Sequence, residues 1–125
     1  MRSAIAFASP FASSAGAAPD RRCPGGALVL PANASARAAR AALDTAASDY
    51  PNLNTAGAKV VSARRASAAG PRGAEVGRRC GAKTRARTVV VELRFPRLAP
   101  SASLSQGVVD VSRFANGYRV WAVVH

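Results

Sequence analysis

An Asn116-Gly117 pair set between two alternating apolar runs constrains this chain more than any other feature. Such a pair is the strongest short-range hairpin signal, because both central residues of a type I′ turn need φ > 0. The stretch from Gly107 to His125 is therefore expected to form one long β-hairpin. With Ala115 paired to Tyr118, Arg113 faces Val120, Val111 faces Ala122 and Val109 faces Val124. One face then carries Val109, Val111, Tyr118, Val120, Ala122 and Val124 and reads as a core face. The other carries Val108, Asp110, Ser112, Phe114, Arg119, Trp121, Val123 and His125, a mixture that suits a half-covered surface.

Upstream, Thr88 to Phe95 alternates Val89, Val91, Leu93 and Phe95 against Val90, Glu92 and Arg94, a strand that Pro96 ends. Ala58 to Ala66 reads as a shorter, partly polar edge strand. Between them, 67–73 reads as a flexible loop, Glu75 to Arg79 as a weak strand and Gly81 to Arg87 as a basic turn. Pro96 to Pro100 makes a bend, residues 101–106 extend the hairpin arm backwards, and Gly107 reads as a bulge.

One helix precedes the strands. Asn33 or Ser35 is its N-cap, Pro51 follows its end, and the apolar stripe is Ala36, Ala39, Leu43, Ala46 or Ala47, and Tyr50. A stripe of alanines has little to bury by itself, so the helix implies a sheet to lie on. The expected fold is α+β: one N-terminal helix packed on a four- or five-stranded antiparallel meander, with cystatin-like or nuclear-transport-factor-like curved sheets as architectural analogues. Such architectures host both binding modules and enzymes.

The chain has 125 residues, enough for one core, and 27–125 reads as a single domain behind a tail at 1–26. The tail is either disordered or a weak export signal: an early Arg2, a short apolar stretch broken by Pro10, and a small-residue pattern at Ala15-Gly16-Ala17. No run approaches the roughly eighteen apolar residues of a spanning helix, so no integral membrane segment is expected. The net charge is +12, with sixteen Arg and two Lys, and residues 59–97 contribute eleven basic and two acidic side chains, +9 of it. That excess favours acidic partners: nucleic acid, anionic lipid or a cell-envelope polyanion. Coding bias toward Ala, Gly, Pro and Arg produces the same excess without any partner. The polyanion-binding candidates are Arg64, Arg65, Arg78, Arg79, Lys83, Arg85 and Arg87, and the candidate surface aromatic group is Phe114, Trp121 and Arg119.

Cys23 and Cys80 are the two cysteines. In an exported protein they form the one possible intrachain bridge; in a cytosolic one they are unrelated thiols. No Cys/His spacing suggests a metal, no phosphate-binding glycine loop is present, and no cofactor is expected. Asp110, Ser112 and His125 share a predicted face, but without a nucleophile elbow or an oxyanion-hole motif they do not make a triad, and no catalytic residue is assigned.

The strings EVGRRCG, RTVVVELRFP, PSASLSQGVVDVSRF and NGYRVW resemble a group of small Ala- and Arg-rich, typically exported actinobacterial proteins without an assigned activity. The likeness covers about half the chain, from Lys59 onward, and implies a compartment rather than a substrate. Asp110 stands where that pattern leads one to expect an apolar residue. The function expected is therefore a small, non-catalytic extracytoplasmic binding or structural accessory domain with a basic face. The alternative is an intracellular nucleic-acid-binding protein using the Arg64 to Arg97 region.

Overall fold

The computed structural model describes residues 22–97 and 105–124. In chain order it contains α1 (Ala34–Asp49), β1 (Lys59–Arg65), a 3-10 turn (Ala66–Ala68), α2 (Gly70–Ala86), β2 (Thr88–Arg94), β3 (Gln106–Phe114) and β4 (Gly117–Val124). The strands form a four-stranded antiparallel sheet in the order β1-β2-β3-β4, so the α+β meander is as expected. The export-like segment at 1–18, the stretch 98–104 and His125 lie outside the described residues.

β2 is the backbone of the core. Val89, Val91, Leu93 and Phe95 are all 0–1% exposed, and they meet Val109 and Val111 of β3 under α1. α1 reaches all four strands. Its buried stripe is Ala34, Ala38, Ala42 and Ala46, continuing to Tyr50, rather than the stripe through Leu43, which is 39% exposed. A helix lying close over a valine floor presents its smallest side chains, whereas a leucine there would hold the two layers apart. Asn33 is the N-cap by position, but its side chain makes no capping bond.

Tyr50 is the one large group at this interface, 2% exposed and edge-to-face with Phe95 at 5.0 Å. Its single hydroxyl proton points to the Val124 carbonyl at 2.9 Å and is shared with the Val108 carbonyl at 3.3 Å. That approach explains Gly107, which is not a bulge: it pairs with Leu93, and a Cβ there would lie 2.4 Å from the Tyr50 hydroxyl. Burial pushes the Tyr50 hydroxyl up from 10.0 to about 12. The folded state thus holds this proton more tightly than the unfolded chain does. The contribution is complete below pH 10 and is lost as pH rises toward 12. Denaturant midpoints measured across that range should fall in the wild type, and Tyr50→Phe should flatten the fall. Equal slopes would show that Tyr50 does not titrate in the fold.

α2 replaces the loop, weak strand and basic turn expected over 67–87. Pro71 occupies its first turn, and its backbone breaks from helical geometry at Gly81 (φ 90, ψ 166). The segment is glycine-rich, which lowers helix propensity and hid the helix. Those glycines permit close approach instead: a Cβ on Gly73 would fall 1.7 Å from the Ala66 carbonyl oxygen, and Arg85 folds over Gly77. α2 and the 3-10 turn cover part of the sheet's second face, where Ala66, Val90 and Val108 form a smaller core with Ala69 and Val124 against it.

The hairpin exists, but its turn and register differ from expectation. Phe114 pairs with Gly117 and Arg113 with Tyr118, leaving Ala115 and Asn116 as the loop. No described non-glycine residue has positive φ, so the I′ geometry is absent, and Gly117 (φ 117) takes the unusual backbone conformation. Further along, Val111 pairs with Val120 but Asp110 with Ala122, so Trp121 is an extra residue, a β-bulge. The bulge inverts the alternation beyond it. Val123 joins the core face, and Ala122 and Val124 move to the second face, opposite to the regular ladder's assignment. Asp110 is 5% exposed on that second face, between Val90 and Ala122.

Candidate binding site

Residues 22–31 form a strap tied down along its length. Cys23 is bridged to Cys80 of α2. Arg87 donates to the Ala27 carbonyl at 2.8 Å, Arg113 to the Val29 carbonyl at 3.2 Å, and Arg65 to the Pro31 carbonyl at 2.6 Å. The Leu28 amide donates to the Arg113 carbonyl at 2.7 Å. Leu30 enters the main core, whereas Val29 stays 65% exposed. An extended segment without a sheet partner must satisfy its carbonyls, and guanidinium groups do so here.

This arrangement redistributes the basic residues singled out above. Arg65 and Arg87 each commit a nitrogen to the strap. Arg78 and Arg79 face Glu75 at 2.6 and 3.8 Å. The Arg85 Nε is buried without a partner among the described residues. Arg64 lines a small hollow with Arg72 and Glu92, and the Glu92 carboxylate accepts from Ser62 at 2.8 Å. Lys83 and Arg87 line another hollow, of about 210 Å³, against Pro24 and Gly26 of the strap. The candidates are thus spread over several sites rather than gathered into one row.

The aromatic candidates do come together. Phe114, Trp121 and Arg119 line an open groove of about 630 Å³ whose opposite wall is Pro24, Gly25 and Gly26. Trp121 and Phe114 are partly exposed and Arg119 is exposed. The indole is held in place. Its Nε1–H donates to Ser112 Oγ at 2.9 Å, and Ser112 Oγ lies 3.1 Å from Thr88 Oγ1. Thr88 Oγ1 in turn donates to the Thr84 carbonyl at 2.7 Å. Because Thr88 has one hydroxyl proton and spends it on Thr84, Ser112 must donate to Thr88 and accept from Trp121. Thr88 and Ser112 are 0% exposed, so the chain of bonds is shielded from water.

Neither the strap wall nor this hydroxyl chain was apparent from the sequence. The cysteine pair was the signal for the first. For the second, the signal was weaker: Thr88 and Ser112 are hydroxyl residues beside the valine runs of β2 and β3. Asp110 and Ser112 lie on one sheet face, as expected for the rejected triad, while His125 falls outside the described residues. Among the described residues no group of His, Cys, Asp and Glu could hold a metal ion, and no helix is long and apolar enough to cross a membrane. No known family, curated protein or solved structure matches the chain.

Proposed function

We propose that this chain is a small binding or structural accessory domain that works outside the cytoplasm, with an acidic macromolecule or cell-envelope component as its partner. The observation that supports the compartment is the Cys23–Cys80 bridge, since disulfides persist in oxidising surroundings and are rare where thiols are kept reduced. The net charge of +12 supports an acidic partner. Thiol labelling of protein taken directly from its native cells tests the first point. No labelling before reduction and two labelled cysteines after it are expected; free thiols in unreduced material would remove the extracytoplasmic reading.

A second reading, an intracellular nucleic-acid binder using the Arg64 to Arg97 region, draws on the +9 charge of residues 59–97. Its signature is steep salt dependence, because each phosphate contact releases a counterion. The inward bonds of Arg65 and Arg87 and the Glu75 partners of Arg78 and Arg79 engage four of the eleven cations of that stretch within the fold, and Arg64 and Lys83 line separate hollows rather than one track. A DNA titration should therefore show a shallow slope of log affinity against log salt. A slope of several units would restore the nucleic-acid reading.

A further inference from the structure

We propose that the groove between Pro24–Gly26 and the β3–β4 hairpin binds an acidic polysaccharide, with Trp121 as the platform for a pyranose ring and Arg119 as the partner of its carboxylate. The inference rests on the extracytoplasmic reading above and adds to it a site and a ligand class.

The placement of Trp121 carries the argument. The residue sits at a β-bulge, which turns over the residues after it and leaves Trp121 on the second face beside Arg119 and Ser112. Its indole N–H is then fixed by Ser112 and, through Ser112, by Thr88. The ring nevertheless remains partly exposed to the groove. A partly buried indole N–H needs an acceptor in any case, and here the bond is also a tether for the exposed part of the ring. A ring that must receive a ligand gains from one, because its ordering entropy is lost in folding rather than in binding.

The groove's chemistry selects the class of ligand. The π face of an indole carries partial negative charge, and a pyranose presents partially positive C–H groups on one face and hydroxyls around its rim. Asn116 at the groove edge offers both a donor and an acceptor to such hydroxyls. Arg119 offers a planar fork that matches a carboxylate. Across the strap, Lys83 and Arg87 line the adjacent hollow, which shares Pro24 and Gly26 with the groove, so a longer chain meets positive charge again. A uronic acid polymer can place one carboxylate at Arg119 while the ring that carries it stacks on Trp121. A nucleic acid asks for a continuous cationic track with several stacked aromatics, whereas the groove itself is lined by the single cation Arg119 beside Trp121 and Phe114.

Trp121 is the single tryptophan of the chain, so its emission reports on the site directly. The full-length oxidised protein is titrated with polygalacturonate, with the fully methyl-esterified polymer, with oligothymidylate and with phosphatidylglycerol vesicles. A saturable change with polygalacturonate is expected, with none for the ester. Arg119→Ala, at an exposed hairpin position, should weaken binding about tenfold or more while leaving the circular dichroism spectrum unchanged. Calorimetry on Trp121→Phe, which keeps an aromatic ring and removes the tether, should also show weaker binding. Absence of polygalacturonate binding, unchanged affinity in Arg119→Ala, or tighter binding of oligothymidylate or of vesicles would each overturn the proposal. Thiol labelling of native material separates the two readings. A fully oxidised protein that ignores polygalacturonate loses the ligand class and keeps the compartment; a protein that binds it but carries free thiols in its native cells loses the compartment and keeps the groove.

Discussion

Cys23→Ser should lower the stability of the fold by about 4 kcal/mol, the loop-entropy value for a bridge across 57 positions. For a domain of this size that is a large share of the total. The loss should fall on the strap first. Leu28 and the Arg65, Arg87 and Arg113 bonds act on 27–31, whereas Pro24 to Gly26 lie between those bonds and the bridge. Removing the bridge therefore frees the groove's outer wall before it disturbs the sheet. Urea midpoints of the oxidised, reduced and Cys23→Ser proteins measure the energy, and Trp121 emission in the native baseline measures the opening of the groove. A shift below about 1 kcal/mol would mean that the guanidinium bonds hold the strap without help from the bridge.

Alanine at either of the two closely approached glycines should be nearly as costly, by overpacking. At Gly107 the new Cβ meets the Tyr50 hydroxyl at 2.4 Å, its ring carbon at 2.6 Å and Phe95 at 3.2 Å. Tyr50 cannot swing away, because its hydroxyl is bonded to two carbonyls and its ring packs on Phe95. A loss of about 3 kcal/mol is expected. Adding Tyr50→Phe removes the nearest atom, so the double variant should be less destabilised than the sum of its single changes. At Gly73 the obstacle is backbone, the Ala66 carbonyl, and α2 must move off the 3-10 turn to admit a methyl group. A loss of about 3 kcal/mol or more should follow, with no side-chain change available to relieve it. Thermal melts of the variants check both, and a shift of less than about 1 kcal/mol at Gly73 would show that the two elements are not in contact in solution.

Local pattern decided several features without help. β2 reads as a strand because four large apolar groups recur at every second position up to a proline, and no helix can bury such a set on one stripe. The existence of α1 followed from composition and that of the hairpin from the alternating apolar runs on either side of a short polar turn, and a chain with two cysteines allows one bridge. Tertiary structure decided the rest. Which alanines of α1 face inward depends on how closely the helix sits on the valine floor, a property of the sheet rather than of the helix. α2 was hidden because its glycines count against a helix locally, and their benefit appears only when the Ala66 backbone and the Arg85 side chain are placed against them. The bulge at Trp121 has no local signature: Val120, Trp121 and Ala122 continue an apolar run in either register, and the shift from Val111 opposite Val120 to Asp110 opposite Ala122 is defined only once β4 lies beside β3. The fate of the arginines is likewise a tertiary matter, since a guanidinium commits to the nearest unsatisfied carbonyl, and the chain's own strap supplies those carbonyls from more than thirty positions away.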